Sequence, residues 1–491
     1  MDPPVPKPTT LRNILVRLLT FGILVLAVRF ACLITLAGES CRYNNDLCFF
    51  HDNLKFRGGG ETLFVRGSGR PRVPELWTTK KWRRTVDYYS AIFQDLIAEG
   101  FLLPNSKALC VEALAGEDVL ALQENGVVNS IGVSENASPP LIVSASNRRH
   151  PFGESSLDFE FSRLNPLGRP AEFSDEVCRT LKQGGFFVAH IAAKDSYGFN
   201  SFLELFSCCR LVRSRDMDGL DTTPVREIVM KKENRLQSGN LGNKCSVPGY
   251  KREIIREAEA LMEEEPKKPW IALKRNLKKV KYLTSMADVS YKQRYVYVDV
   301  GARNYGSSIG SWFEKTYPKQ NKSFEIYAIE ADKTFHKEYR NKKGVTLLPY
   351  AAWVRNETLF FEITRDPGKK IVEKCRGMGR VQSVRPSSNY GDNVDKIEGF
   401  DFAEWLKSVV SERDFVVVKM DVEGAEFHLI PKLIESGAIC LIDEIFLECH
   451  YNRWQKCCSG QRSPKFKKTY GQCLELFTKL RENGVLVHQW W

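Results

Sequence analysis

None of the 14 cysteines forms a C-x-x-C pair, which argues against a zinc ribbon or a redox-active dithiol. The glycine turns depart from G-x-G-x-x-G, which disfavours a dinucleotide site. Net positive charge is scarce outside one segment. The chain carries +12, but residues 231–294 hold 16 Lys+Arg against 8 Asp+Glu. The excess is a basic connector rather than the spread footprint of a nucleic-acid-binding protein, so nucleic acid is an unlikely partner. A hydrophobic fraction of 43% with 11% aromatics excludes a disordered or collagen-like chain. The 491 residues exceed one ordinary core, and two domains are expected.

Residues 18–37 read LLTFGILVLAVRFACLITLA, with Arg29 as the only charge. At about 1.5 Å per residue this run matches the hydrocarbon thickness of a bilayer. Its length favours a signal anchor over a cleaved signal peptide or an amphipathic transit segment. Lys7, Arg12 and Arg17 precede it closely, which puts residues 1–17 in the cytosol and the rest in a secretory lumen, Golgi or endoplasmic reticulum. An oxidising lumen suits disulfides among Cys41, Cys48, Cys449, Cys457, Cys458 and Cys473, while Cys110, Cys178 and Cys440 read as buried core thiols.

Residues 38–75 are Gly-, Arg- and Pro-rich and read as a stem. From 76 to 230 strands alternate with helices: ALCVEAL, SIGVSE, LDFEFSRL, GGFFVAHIA and REIVMKK are the strand candidates. The basic connector 231–294 contains two expected helices, Arg252–Glu264 and Trp270–Leu283, the first read as a solvated helix packed on a domain. A second α/β pattern fills 295–491. It runs through strands YVYVDVG, FEIYAIEA, VTLLPYAAW, TLFFEI, FVVVKMDV, CLIDEIFLECH and VLVHQWW, with a helix expected at SSIGSWFEKTY. The fold class is therefore α/β, two Rossmann-like, doubly wound domains in tandem after a single transmembrane helix.

The second half carries the chemistry. Its first strand ends in Asp299-x-Gly301, followed by Gly306, and glycines let backbone amides approach a ligand. The next strand ends at Glu330, an acid placed to hold a ribose. In VVVKMDVEGAEFHLI, Asp421, Glu423 and Glu426 stand at a strand-to-helix junction, where carboxylates face the ligand crevice or else cap the helix.

Residues 295–491 resemble FkbM-type S-adenosylmethionine-dependent O-methyltransferases in VDVGARNYG, YAIEADKTFHKEY, LLPYAAW, and VVVKMDVEGAE followed by IDEIFLECH. The resemblance implies S-adenosyl-L-methionine held by Asp299, Gly301, Gly306 and Glu330, with Asp421 and Glu423 at the transfer site. Two departures are Arg303, an extra residue ahead of Asn304, and Tyr350, where a small polar residue often precedes the Ala-Ala pair. The order of both halves also resembles a plant family of membrane-anchored, tandem methyltransferase-like proteins. In the first half ALCVEALAGEDVLALQENGV looks like a class I methyltransferase loop with one glycine, Gly116, and Leu114 where a second is expected. That half is read as degenerate, with Glu135 its candidate ribose acid.

An alcohol acceptor benefits from a general base, and Asp421, Glu423 and His450 are the candidates, each at or beyond a strand's C-terminal end. No metal is assigned, because Asp421 and Glu423 lack a convincing third ligand in the sequence. The expected acceptor is an acidic polysaccharide or small glycosyl hydroxyl. The alternative is an inactive scaffold for a protein partner.

Overall fold

The computed structural model describes residues 79–113, 115–146, 149–164, 170–221, 223–233, 246–267, 269–363, 379–383, 394–454, 460–463 and 465–490. The expected anchor (18–37), the stem, Leu114, Cys41, Cys48, Cys457 and Cys458 lie outside them. Among the described residues no helix is long and apolar enough to cross a membrane.

The first half contains α1 (Lys80–Ala98), β1 (Ala108–Val111), α2 (Glu117–Glu124), β2 (Ser130–Ser134), β3 (Ile142–Ser144), β4 (Leu157–Leu164), α3 (Pro170–Thr180), β5 (Leu181–Ile191), α4 (Ser196–Leu205), β6 (Cys209–Asp218) and β7 (Pro224–Lys232). Its seven strands lie in the order β3-β2-β1-β4-β5-β7-β6. All pairs are parallel except those of β7, which runs antiparallel to β5 and β6. Helix α1 starts at Thr79, whose hydroxyl caps the Trp82 amide, and the turn after it closes at Gly100 with φ +79°.

The connector holds α5 (Gly249–Glu257), α6 (Pro269–Leu277) and α7 (Leu283–Met286). The expected helix to Glu264 stops early because the next residues dock on the second half. The Met262 amide donates to Gln489 Oε1 at 2.6 Å, and Glu259 reaches His488. The connector is packed, not merely solvated.

The second half contains β8 (Tyr295–Val300), β9 (Glu325–Ile329), α8 (Lys333–Tyr339), β10 (Val345–Leu348), β11 (Ala351–Trp353), β12 (Glu357–Ile363), β13 (Gly379–Gln382), β14 (Val394–Asp401), α9 (Phe402–Val409), β15 (Phe415–Met420), α10 (Glu426–Glu435), β16 (Glu444–Glu448), α11 (Tyr470–Glu482) and β17 (Leu486–Trp490). Six strands form a parallel sheet, β10-β9-β8-β15-β16-β17. This is the doubly wound order 3-2-1-4-5-6, so both halves are α/β and Rossmann-like. Strand β8 is buried on both faces, as a central parallel strand should be. Val296, Val298 and Val300 join one core, while Tyr295 and Tyr297 join the other. That second core also takes in Tyr197 and Tyr250, so the halves share apolar packing.

Three expectations are corrected. SSIGSWFEKTY forms only a π-helical turn, Ile309–Phe313, because Ser307 and Ser308 bond Ala302 O and the Asp299 carboxylate instead of continuing a helix. VTLLPYAAW breaks at Pro349, and its halves enter different sheets. The second of these is an unforeseen four-stranded sheet, β11-β14-β12-β13. Finally, Cys178 is bonded to Cys208, Cys449 to Cys473, and Cys440 is also in a disulfide, so Cys178 and Cys440 are not core thiols. Cys110 is a buried free thiol.

His488 on β17 is fully buried between Glu259 (2.6 Å) and Glu444 (2.9 Å). Burial alone would lower its pKa, but the two carboxylates raise it to about 9. The imidazolium therefore stabilises the fold in full below its unfolded pKa of about 6.5, and this is lost as pH rises through about 9. Urea unfolding at pH 6 and pH 9.5 should differ by roughly 3 kcal/mol from this site, and His488→Gln should flatten the difference.

Candidate functional site

Open doubly wound sheets bind ligands outside the carboxyl ends of the strands where strand order reverses. Here that point lies between β8 and β15. A cleft open to solvent lies there, lined by residues including Gly301, Arg303, Glu330, Phe335, Tyr350, Phe361, Asp421 and Glu423.

Gly301 has φ +79°, and a Cβ on it would stand 1.9 Å from the Asp421 carbonyl oxygen. Only glycine lets the two strand ends close this tightly. Arg303, also left-handed at φ +52°, donates its amide to Glu330 Oε2, and the Asp332 amide donates to Oε1, both at 2.6 Å. Burial pushes the Glu330 carboxyl up to about 7 against these two amides. Ile329, Ala331 and Phe335 give this end an apolar wall, with Arg303 above the Phe335 ring.

At the other end Asp421 and Glu423 face Phe361, Gly379 and Val381 of the added sheet. Beneath them Lys419 is buried, its Nζ 3.5 Å from Asp299 and 3.7 Å from Asp421. Burial disfavours its charge, yet the Asp299 and Asp421 carboxylates hold its pKa above the ordinary lysine value. Lys465 donates to Glu423 Oε2 at 2.6 Å. Glu426 accepts from the Gly424 amide at 2.9 Å and the His450 amide at 2.7 Å. Glu426 thus ties the turn before α10 to the chain after β16, and among the described residues no side chain caps that helix.

Of the residues expected to hold a ligand, Gly301 and Glu330 line the cleft. Asp299 and Gly306 do not. Asp299 is fully buried below the cleft, held by the Ser308 hydroxyl and Lys419, and supports the loop from behind. Asp421 and Glu423 line the cleft, and His450 sits behind them, buried, with Nε2 3.5 Å from Asp421 and 3.7 Å from Glu423. The sequence reading missed Glu448, 3.8 Å from the same nitrogen, and Lys465. Glu448 ends a buried strand, the one signal that could have found it. Lys465 lies in a loop and gave none.

The equivalent point of the first half, between β1 and β4, is spanned by side chains. Arg163 on β4 pairs with Asp118 at 3.4 Å and Glu117 at 3.8 Å, over the Tyr89 ring. Trp82 of α1 closes on the loop by donating to the Ala115 carbonyl. Glu135 is exposed beyond β2.

A family model described as a domain of unknown function (DUF7870) matches residues 255–359 and 380–491, the second half together with the end of the connector. No curated protein matches the chain. Solved structures that are similar include S-adenosylmethionine-dependent methyltransferases. One from Methanosarcina mazei is 14% identical, with 28% of this chain and 97% of that chain covered and a TM-score of 0.23. One from Aquifex aeolicus is 13% identical, covering 28% and 88%, with a TM-score of 0.24. The 1,6-didemethyltoxoflavin-N1-methyltransferase of Burkholderia thailandensis, solved with S-adenosylhomocysteine, is 15% identical, covering 33% and 82%, with a TM-score of 0.27.

Proposed function

We propose that the second half is an S-adenosylmethionine-dependent O-methyltransferase of FkbM type, carried by a membrane-anchored chain whose domains face a secretory lumen. The observation that carries this is Glu330. Its carboxylate is fixed by two backbone amides at the end of the second strand, across one cleft from Asp421 and Glu423. The residues fit the ligand. Glu330 retains lone pairs for two ribose hydroxyls, Phe335 and Ile329 offer an apolar wall to a base, and the Gly301 turn admits close backbone approach.

When bound, S-adenosylmethionine supplies the methyl group: an acceptor oxygen forms the new C–O bond as the C–S bond breaks and S-adenosylhomocysteine leaves. The chain's own residues position the acceptor and take its proton. Asp421 and Glu423 line the cleft, and this carboxylate pair is placed to take the proton, directly or through water. Lys419 and Lys465 keep Asp421 and Glu423 oriented. A sugar or polysaccharide hydroxyl is the proposed acceptor. The disulfides support a lumenal setting, since they persist in oxidising compartments. Protease protection on microsomes checks this, and digestion of the C-terminal half in intact vesicles would overturn it.

Calorimetry on the full chain in detergent tests the ligand. One S-adenosylmethionine should bind per chain, because Arg163 and Asp118 span the first half's crevice. Glu330→Gln should weaken binding by about 10- to 100-fold, the worth of a charge-assisted hydrogen bond. No heat with the wild-type chain sinks the proposal, and two sites per chain would show the first half competent.

A further inference from the structure

We propose that Asp421, Glu423 and His450 bind one divalent metal ion at the inner end of the cleft. Asp421, Glu423 and His450 each bring one ligand atom to within 4.8 Å of the others. The gaps from His450 Nε2 are 3.5 Å to Asp421 Oδ1 and 3.7 Å to Glu423 Oε1. Adjacent ligands on an octahedral ion at about 2.1 Å stand about 3 Å apart, so small side-chain movements close the set.

The other oxygens are already taken. Lys419 stands on Asp421 Oδ2 and Lys465 on Glu423 Oε2, which leaves Oδ1 and Oε1 turned toward the imidazole. Asp421 Oδ1 is buried without a hydrogen-bond partner. His450, 5% exposed, has its Nδ1 3.2 Å from Glu426 Oε1. Glu426 is itself fully buried and pinned by two backbone amides. A carboxylate on one ring nitrogen fixes the tautomer that presents the other nitrogen as a metal ligand. The mixed nitrogen and oxygen set suits a first-row ion such as Mn²⁺. That the ion would engage the acceptor oxygen and ease loss of its proton rests on the methyl-transfer reading; the binding of the ion does not.

The test uses Mn²⁺ with the full chain in detergent and no S-adenosylmethionine. Calorimetry should show one ion per chain, and pulsed electron paramagnetic resonance of the wild-type complex should show ¹⁴N modulation from an imidazole. Asp421→Asn should weaken binding at least tenfold, whereas Asp216→Asn, in an exposed pair with Arg226, should not. Absence of stoichiometric Mn²⁺, Mn²⁺ without nitrogen modulation, or full affinity in Asp421→Asn would overturn the proposal. The nitrogen signature is read on the wild-type chain, so a misfolded variant does not obscure it. Mn²⁺ bound without any S-adenosylmethionine binding would sink the methyl-transfer reading alone.

Discussion

Asp443→Ala is expected to destabilise the chain by about 3–5 kcal/mol, the cost of removing one partner from a buried ion pair. Asp443 is 4% exposed and joins three parts of the molecule. Its Oδ1 accepts from Tyr197 of the first half and from Lys251 of the connector, each at 3.1 Å. Its Oδ2 accepts from the Val416 amide of β15 at 3.0 Å. Burial alone would raise its pKa, but Lys251 and Lys292 hold it below the ordinary aspartate value. Its contribution is therefore present above the unfolded pKa and lost as pH falls through the folded one. Without the carboxylate, the largely covered Lys251 loses its ion-pair partner. Urea unfolding of the variant should show a lower midpoint. Asp443→Leu combined with Lys251→Met should recover much of the loss, because both charges then leave together. A loss below about 1 kcal/mol would show that the halves do not depend on this junction.

The sequence announced what a one-dimensional pattern can carry. β8 and β15 are apolar but for Asp299 and Lys419 because both faces are covered, and the residues just past them mark the switch point. Asp421 and Glu423 were legible for that reason. His450 was legible too, as a histidine just past a strand end, but its anchor was not, since nothing local says that it swings back to Glu426 across 24 residues. The four-stranded sheet stayed hidden because the apolar run on either side of Pro349 was read as one strand, while β13 is short and β14 is rich in charged residues. The connector's helices were overestimated for a similar reason. Helical spacing continues past Glu257, but the Glu259–His488 and Met262–Gln489 contacts draw the chain straight. Composition could not assign the cysteines either, because Cys178 and Cys208 meet only after α3 and α4 have packed.

The glycine loop separates two residues that the sequence treated alike. Gly301→Ala is expected to lower stability and to reduce S-adenosylmethionine affinity at least tenfold. An L-residue at φ +79° is strained by roughly 1–2 kcal/mol. The larger effect is steric, because the new methyl would meet the Asp421 carbonyl, and backbone cannot rotate out of the way. Relief requires β8 and β15 to part at their ends, where the Asp421 amide donates to Val300 O at 2.9 Å. That movement carries Asp421 and Val422 away from the cleft and disturbs the Arg303 amide on Glu330. Together the strain and the overpacking amount to roughly 2–5 kcal/mol. Gly306→Ala is the control. Its φ is not in the left-handed region, and its nearest neighbour to a new Cβ is Asn304 Oδ1 at 3.5 Å, an ordinary contact. It should unfold and bind nearly as the wild type does. Denaturation midpoints and calorimetric affinities of the two variants, measured side by side, decide the matter. Equal behaviour would mean that the close approach at Gly301 does not hold the cleft in shape, and that the two strand ends are free to move independently.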